Sequence, residues 1–170
     1  NILETYPRDE LFQISPEELI ETAQGILHLE ERQRIRLFVR RDRYARFFSC
    51  LVYIPRERYN TELRQRIEEI LRAVFKGDNV DYTTYVSDAP MARVHFIVRA
   101  PRVAEQDIHV AQIEERLVAA SRVWSDDLRD ALIERMGEAR GHDLYHRYRE
   151  AFSPGYQHAF TAQTAVSDID

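Results

Sequence analysis

The sequence predicts an α+β fold: a small sheet backed by helices over about the first hundred residues, then a helical stretch. Three observations carry this. Short segments with apolar residues at every second position alternate with two longer segments at helical spacing. The two-residue period stops near Pro101, beyond which only the helical period continues. Charge changes there too, since residues 1–99 carry 16 basic and 16 acidic side chains and residues 100–170 carry 8 and 13, so the whole net charge of -5 lies in the second part.

Taken in order, "DELFQI" reads as a first strand. In "ISPEELIETAQGILHLEER" Ser15 is a helix cap, Pro16 suits the first helical position and Glu18 completes a Ser-x-x-Glu capping box. Leu19, Ile20, Ala23, Ile26 and Leu27 then form one apolar stripe. "RIRLFVR" sets Ile35, Leu37 and Val39 against Arg34, Arg36 and Arg40, the pattern of a half-buried strand. A turn through "RDRYA" leads to "RFFSCLVYIP", with Phe48, Cys50, Val52 and Ile54 on one face, and the two strands pair as a hairpin. Asn60 or Thr61 caps a second helix with Leu63, Ile67, Ile70, Leu71 and Val74 as its stripe and Gly77 as its stop. "VDYTTYVS" and "ARVHFIVR" are two more strands separated at Pro90. The order through Ser87 is βαββαβ, the ferredoxin-like split βαβ arrangement, with Ala92–Arg99 as an extra strand.

Past Pro101 the helical segments are about Glu105–Arg122, Ser125–Ala139 and His142–Phe152, with Ser153 and Pro154 opening another. The expected division is therefore an α+β domain over 1–100 and a helical segment over 101–170. The chain starts at Asn1 and reads as a piece of something longer. No apolar run approaches the roughly 18 residues of a membrane span, and no signal peptide is visible, so a cytoplasmic location is expected.

The densest charge feature is Phe38–Asn60, which holds six arginines and two acids. Arg40, Arg41, Asp42, Arg43 and Arg46 make it a candidate interface or anion contact. Arginines interleaved with Phe47 and Tyr53 also permit an alternative reading as an RNA-binding sheet. Against that stand the missing glycine-bearing strand signature of such sheets and a domain with no net charge. Arginine outnumbers lysine 23 to 1 in the chain at large, so its enrichment here is not local.

Other chemistry is thin. Cys50, the single cysteine, cannot form an internal disulfide and sits in an apolar run as a small buried hydrophobe. His142 and His146 share a helix face but lack a third ligand, and no metal is expected. His95 belongs on the arginine side of its strand and is expected to stay at a sheet surface. Five scattered glycines make neither a dinucleotide motif nor a phosphate loop, so neither cofactor binding nor catalysis is expected in these residues.

"RRDRYARFFSCLVYIPRERYNTELRQRIEEIL", "VSDAPMARVHFIVR", "WSDDLRDAL" and "FSPGYQHAFTAQTAVSDI" resemble the large bacterial NAD-specific glutamate dehydrogenases, in the N-terminal region preceding the catalytic domain. The resemblance implies an ACT-type domain and, for the parent enzyme, oxidative deamination of L-glutamate to 2-oxoglutarate and ammonium with NAD. It implies a noncatalytic regulatory or oligomerisation role for this chain, with other domains or subunits as partners, neither nucleic acid nor membrane among them, and an amino acid as a possible effector. Typical ACT domains bind an amino acid near the first strand-to-helix loop, where a Pro-Gly pair lets backbone amides approach the ligand. Here Ser15, Pro16 and Glu17 form that candidate effector loop, with Glu17 placing a charged side chain where the glycine would fall.

Overall fold

The computed structural model describes residues 6–31 and 33–169. The chain divides into two compact units, at Ser121 and Arg122. The first contains α1 (Arg8–Leu11), α2 (Pro16–Glu31), β1 (Arg36–Arg41), β2 (Phe47–Pro55), α3 (Thr61–Phe75), β3 (Asn79–Tyr85), β4 (Met91–Arg99), a 3-10 turn at Val103–Glu105 and α4 (Val110–Ala120). The second contains α5 (Trp124–Met136), α6 (Glu138–Tyr148), α7 (Pro154–Ala159) and α8 (Ala162–Ile169). Among the described residues no helix is long and apolar enough to cross a membrane.

The sheet is antiparallel throughout, in the order β1-β2-β4-β3. β2 and β3 are therefore parallel to each other with β4 between them, and α3 joins them as the split βαβ unit. On one sheet face Leu37, Phe48, Cys50, Val52, Ile54, Val94, Phe96 and Val98 meet Leu63, Ile67, Leu71 and Phe75 of α3 and Ile113 and Leu117 of α4. The alternation read from β1, β2 and β4 predicts this face. Asn60 caps α3 by accepting from the Leu63 amide at 2.8 Å, and Lys76 ends it in the left-handed conformation.

Four expectations change. "DELFQI" is not a strand: residues 8–11 form the short helix α1, whose Glu10 and Leu11 amides donate to the Pro7 carbonyl at 3.1 and 3.2 Å. A six-residue alternation is too short to separate strand from helix, and a proline followed by two acids is a helix-start signal. β4, expected as an extra strand, fills the central place that arrangement reserves for its first strand. The domain also does not stop at Pro101, because α4 closes the core over β1 and belongs to the first unit. Of the two helices expected behind the sheet, α2 lies instead on the opposite face, where Ile26 and Leu29 meet Leu51 and Tyr53.

In the second unit Leu128, Ala131 and Leu132 of α5 pack with Ala162, Ala165 and Val166 of α8. Ser153 caps α7 as expected, accepting from the Tyr156 amide at 3.2 Å. α6 approaches α5 at Gly141, where an added Cβ would lie 2.7 Å from the Ile133 Cα and 2.8 Å from its nitrogen. Gly141→Ala should destabilise this unit by about 1–3 kcal/mol, since backbone cannot yield as a side-chain tip can. Gly155→Ala, with its nearest contact at 3.9 Å, should change urea-unfolding stability by less than about 0.5 kcal/mol.

Candidate functional site

The arginine hairpin is mostly spoken for by its own fold. Asp42, 3% exposed, closes the β1–β2 turn by accepting from the Tyr44 and Arg46 amides at 3.1 and 3.2 Å. It also takes a bidentate pair from Arg46 at 2.8 and 3.1 Å. These bonds from Arg46 outweigh the opposing effect of desolvation and hold the Asp42 carboxyl down at about 2. Ala45 adopts a positive φ of 54° within the turn. Arg41 reaches across to donate to the Ala104 carbonyl at 3.0 Å and to the Gln106 carbonyl, fixing the 3-10 turn after β4. Arg43 and Tyr44 are left at the turn's outer surface, and among the described residues Arg43 has no ion-pair partner.

Ser15, Pro16 and Glu17 start α2 as the sequence indicates. The Ser15 hydroxyl accepts from the Glu18 amide at 3.2 Å, and the Glu18 carboxylate accepts from the Ser15 amide at 3.1 Å. The segment before them is α1, so this is a helix-to-helix connection and not the strand-to-helix loop expected. The structure nonetheless brings it to the arginine turn: Phe12, Gln13, Ser15 and Glu18 line one surface depression of about 420 Å³ with Arg41 and Arg43. Pro16 and Glu17 stay outside that lining.

A polar cluster that the sequence reading missed lies beneath α1 and α2. Arg40 is buried, and its guanidinium donates to Glu10 at 2.9 and 2.8 Å. A third bond reaches the Gln13 side-chain oxygen at 3.3 Å, and a fourth the Arg41 carbonyl at 3.3 Å. His95 Nε2 lies 2.8 Å from the Ser49 hydroxyl and 3.6 Å from the Glu10 carboxylate. Burial by itself would raise the Glu10 carboxyl, but the hydrogen bonds and charge of Arg40, helped by Ser49 and His95, bring it below its ordinary value. Burial, together with Arg93 and Arg40, lowers His95 against the pull of Glu10. Tyr6, packed over the same cluster, is pushed up to about 12 by burial. The available signal was Arg40 itself, which a strict two-residue period puts on the face that α2 covers.

The remaining candidates are placed more simply. Cys50 is fully buried on the α3 side, and burial raises its thiol. His142 and His146 stack on an exposed face of α6 with ring centroids 6.5 Å apart. Tyr53, which an RNA-binding sheet would present to solvent, is buried under α2 at 7% exposure.

The two sheet edges differ. Ladder alternation, fixed by the Asp42 amide donating to Phe47 and the Arg56 amide to Pro90, turns the backbone groups of Leu37, Val39 and Arg41 outward on β1 and those of Val80, Tyr82 and Thr84 outward on β3. Glu114 of α4 accepts from the Leu37 amide at 3.0 Å and from Arg36 at 3.2 Å, which blocks part of the β1 edge. Among the described residues no strand pairs with the outer side of β3, and Tyr82, Tyr85 and Val86 beside it are exposed.

Comparison with known proteins gives a consistent assignment across the chain. Residues 36–125 match the ACT2 domain of glutamate dehydrogenase, 1–32 its helical motif 1 and 131–170 its helical motif 2. An NAD-specific glutamate dehydrogenase of Halomonas elongata is 45% identical over 168 residues, covering 99% of this chain and 10% of the relative. One from Pseudomonas aeruginosa is 38% identical with the same coverage, and one from Mycobacterium tuberculosis is 36% identical over 181 residues, 99% of the chain and 11% of the relative. The chain thus spans about a tenth of the length of the relatives it matches.

The buried cluster sets a pH dependence. His95 binds a proton less readily folded than unfolded, so its contribution is complete above its ordinary 6.5 and is lost as pH falls toward its lowered folded value. Glu10 acts in the same direction in a lower window, beginning near 4.5. Urea unfolding should therefore show lower stability at pH 5.5 than at pH 7, with a slope of at most about 1.4 kcal/mol per pH unit from this one ring. His95→Gln, which can keep the Ser49 bond, should flatten that slope; an unchanged slope would assign the dependence elsewhere.

Proposed function

The chain belongs to the NAD-specific glutamate dehydrogenase family, and from that premise we propose that it is a noncatalytic regulatory and oligomerisation region of such an enzyme. The parent would oxidatively deaminate L-glutamate to 2-oxoglutarate and ammonium with NAD, and that chemistry would lie outside these residues. The family models support this reading, since every matched stretch is an ACT domain or a helical motif. The sequence supports it by offering no glycine-rich nucleotide loop and a single lysine, Lys76, at the end of α3.

The observation that carries the assembly role is the open β3 edge. An exposed edge strand presents a row of unpaired backbone groups, and proteins usually blunt it with lysine, proline, a bulge or a cover. β3 has neither lysine nor proline, its only ionised side chain is Asp81, and Arg99 already pairs with that carboxylate. Aromatic side chains flank the edge, and Arg64 sits 4.0 Å from the centroid of the Tyr82 ring, holding it in place. A strand from another domain or subunit of the same enzyme is the partner that satisfies this edge.

The hairpin contributes less than the sequence suggests. Arg40, Arg41, Asp42 and Arg46 act within the fold, leaving Arg43 as the arginine offered outward. A small effector bearing a carboxylate, an amino acid among them, would find Arg43 opposite Ser15 and Glu18 in the shared depression.

Thr84→Pro tests the edge. The Thr84 backbone faces outward in the ladder, so proline there removes an N–H without removing a β3–β4 bond, at the loss of the 3.2 Å contact between the Thr84 and Tyr59 hydroxyls. In the full-length enzyme the substitution should dissociate or loosen the assembly, read by sedimentation, while the substituted 170-residue chain stays folded by circular dichroism. Unaltered assembly in the substituted full-length enzyme would remove β3 from the interface.

A further inference from the structure

Two covers shield the two faces of the sheet, and they are unequal. Among the described residues the α3–α4 side is sealed by a cluster of 17 buried residues. On the other face the cluster beneath α1 and α2 has five among the described residues, Tyr6, Ile26, Leu29, Leu51 and Tyr53. A cavity of about 320 Å³ remains there, with Tyr6, Thr22 and Gly25 facing Phe38, Arg40 and Ser49.

We propose that this second sheet face is an interaction surface built for reversible occupancy, that its occupant is residues 6–31 of the same chain, and that Glu10 on Arg40 is the latch. The sheet side is prepared for exposure. His95 and Ser49 satisfy each other on the sheet itself, and Arg40 keeps the Arg41 carbonyl when Glu10 departs. The departing side is prepared as well. α2 carries its own capping box, so its first turn does not depend on the sheet. It also turns Ile20 and Leu27 outward at 59% and 54% exposure, so the apolar stripe read from the sequence is divided between two sides of the helix. The family models draw the same seam, with the helical motif ending at residue 32 and the ACT2 domain starting at residue 36.

The latch suits this role because a buried ion pair contributes specificity more than net affinity. Desolvation of the two charges roughly offsets their attraction, whereas a charge left buried alone is strongly unfavourable. When the strap lifts, both charges regain water together. When the strap is down, Arg40 accepts one partner geometry, two parallel N–H donors onto one carboxylate, which fixes where α1 sits.

Amide hydrogen exchange on the 170-residue chain tests the proposal. In the wild type, amides of α2 should exchange through an opening at least tenfold more populated than that of β2 and β4. Glu10→Ala should raise α2 exchange by a further tenfold or more while amides of β4 and α3 keep their protection. One common exchange free energy for α2 and the central strands in the wild type would overturn the strap, and so would an effect of Glu10→Ala spread equally over both. The wild-type profile decides by itself if Glu10→Ala does not fold. Because this reading concerns one chain, failure of the β3 edge as an assembly surface leaves it standing, and the reverse also holds.

Discussion

Everything in the first unit follows from β2 being buried on both faces. Of its nine residues all but Phe47 are buried, because β1 and β4 flank it and helices lie above and below. An antiparallel sheet can leave one face to water, but Leu51 and Tyr53 make the middle of the second face apolar, so a cover over it buries apolar surface as well. Apolar residues at even positions from Phe48 to Ile54 draw in α3 and α4, and Leu51 and Tyr53 draw in α2. The same requirement brings Arg40 and His95 under cover on that side. Glu10 and Ser49 are the partners that make their burial tolerable.

This arrangement separates two kinds of contact by chemistry. The α3–α4 side is apolar and close-packed, with Phe48 stacked on Phe75 at 4.3 Å between centroids. The α2 side mixes a small apolar cluster with an ion pair, a histidine and a cavity. Packing of the first kind fixes a fold, and packing of the second kind lets an element be held in one register and still released. The regulatory role proposed above would use both, since a ligand or partner can shift an equilibrium only if two arrangements differ in what they offer it.

Much of the sheet was legible in the sequence, because period-two alternation is long in β2 and β4 and their registers leave no freedom once one face is apolar. Caps at Ser15, Asn60 and Ser153 were legible for a different reason: each is a local side-chain bond to its own helix start. The first strand was misread because the spacing of apolar residues in "DELFQI" suits a strand, while Pro7 and two acids set the backbone into a turn of helix. The side of the sheet on which α2 lies was not legible, since Leu19, Ile20, Ala23, Ile26 and Leu27 describe a stripe about equally for either face. Of the candidate site, place in the turn marks Arg41 and Arg43 alike, and nothing local separates them: the carbonyl partners of Arg41 lie 63 and 65 residues away and the carboxylate partner of Arg40 lies 30 residues away, separations that no local pattern encodes.

Glutamate-dependent reduction of NAD by the purified 170-residue chain bears most directly on the noncatalytic role. The chain should form no NADH above a blank and should give no heat on titration with NAD, because it has neither a nucleotide loop nor a lysine placed for chemistry. NADH formation that survives removal of contaminating enzyme and scales with the amount of this chain would contradict the role assigned to it.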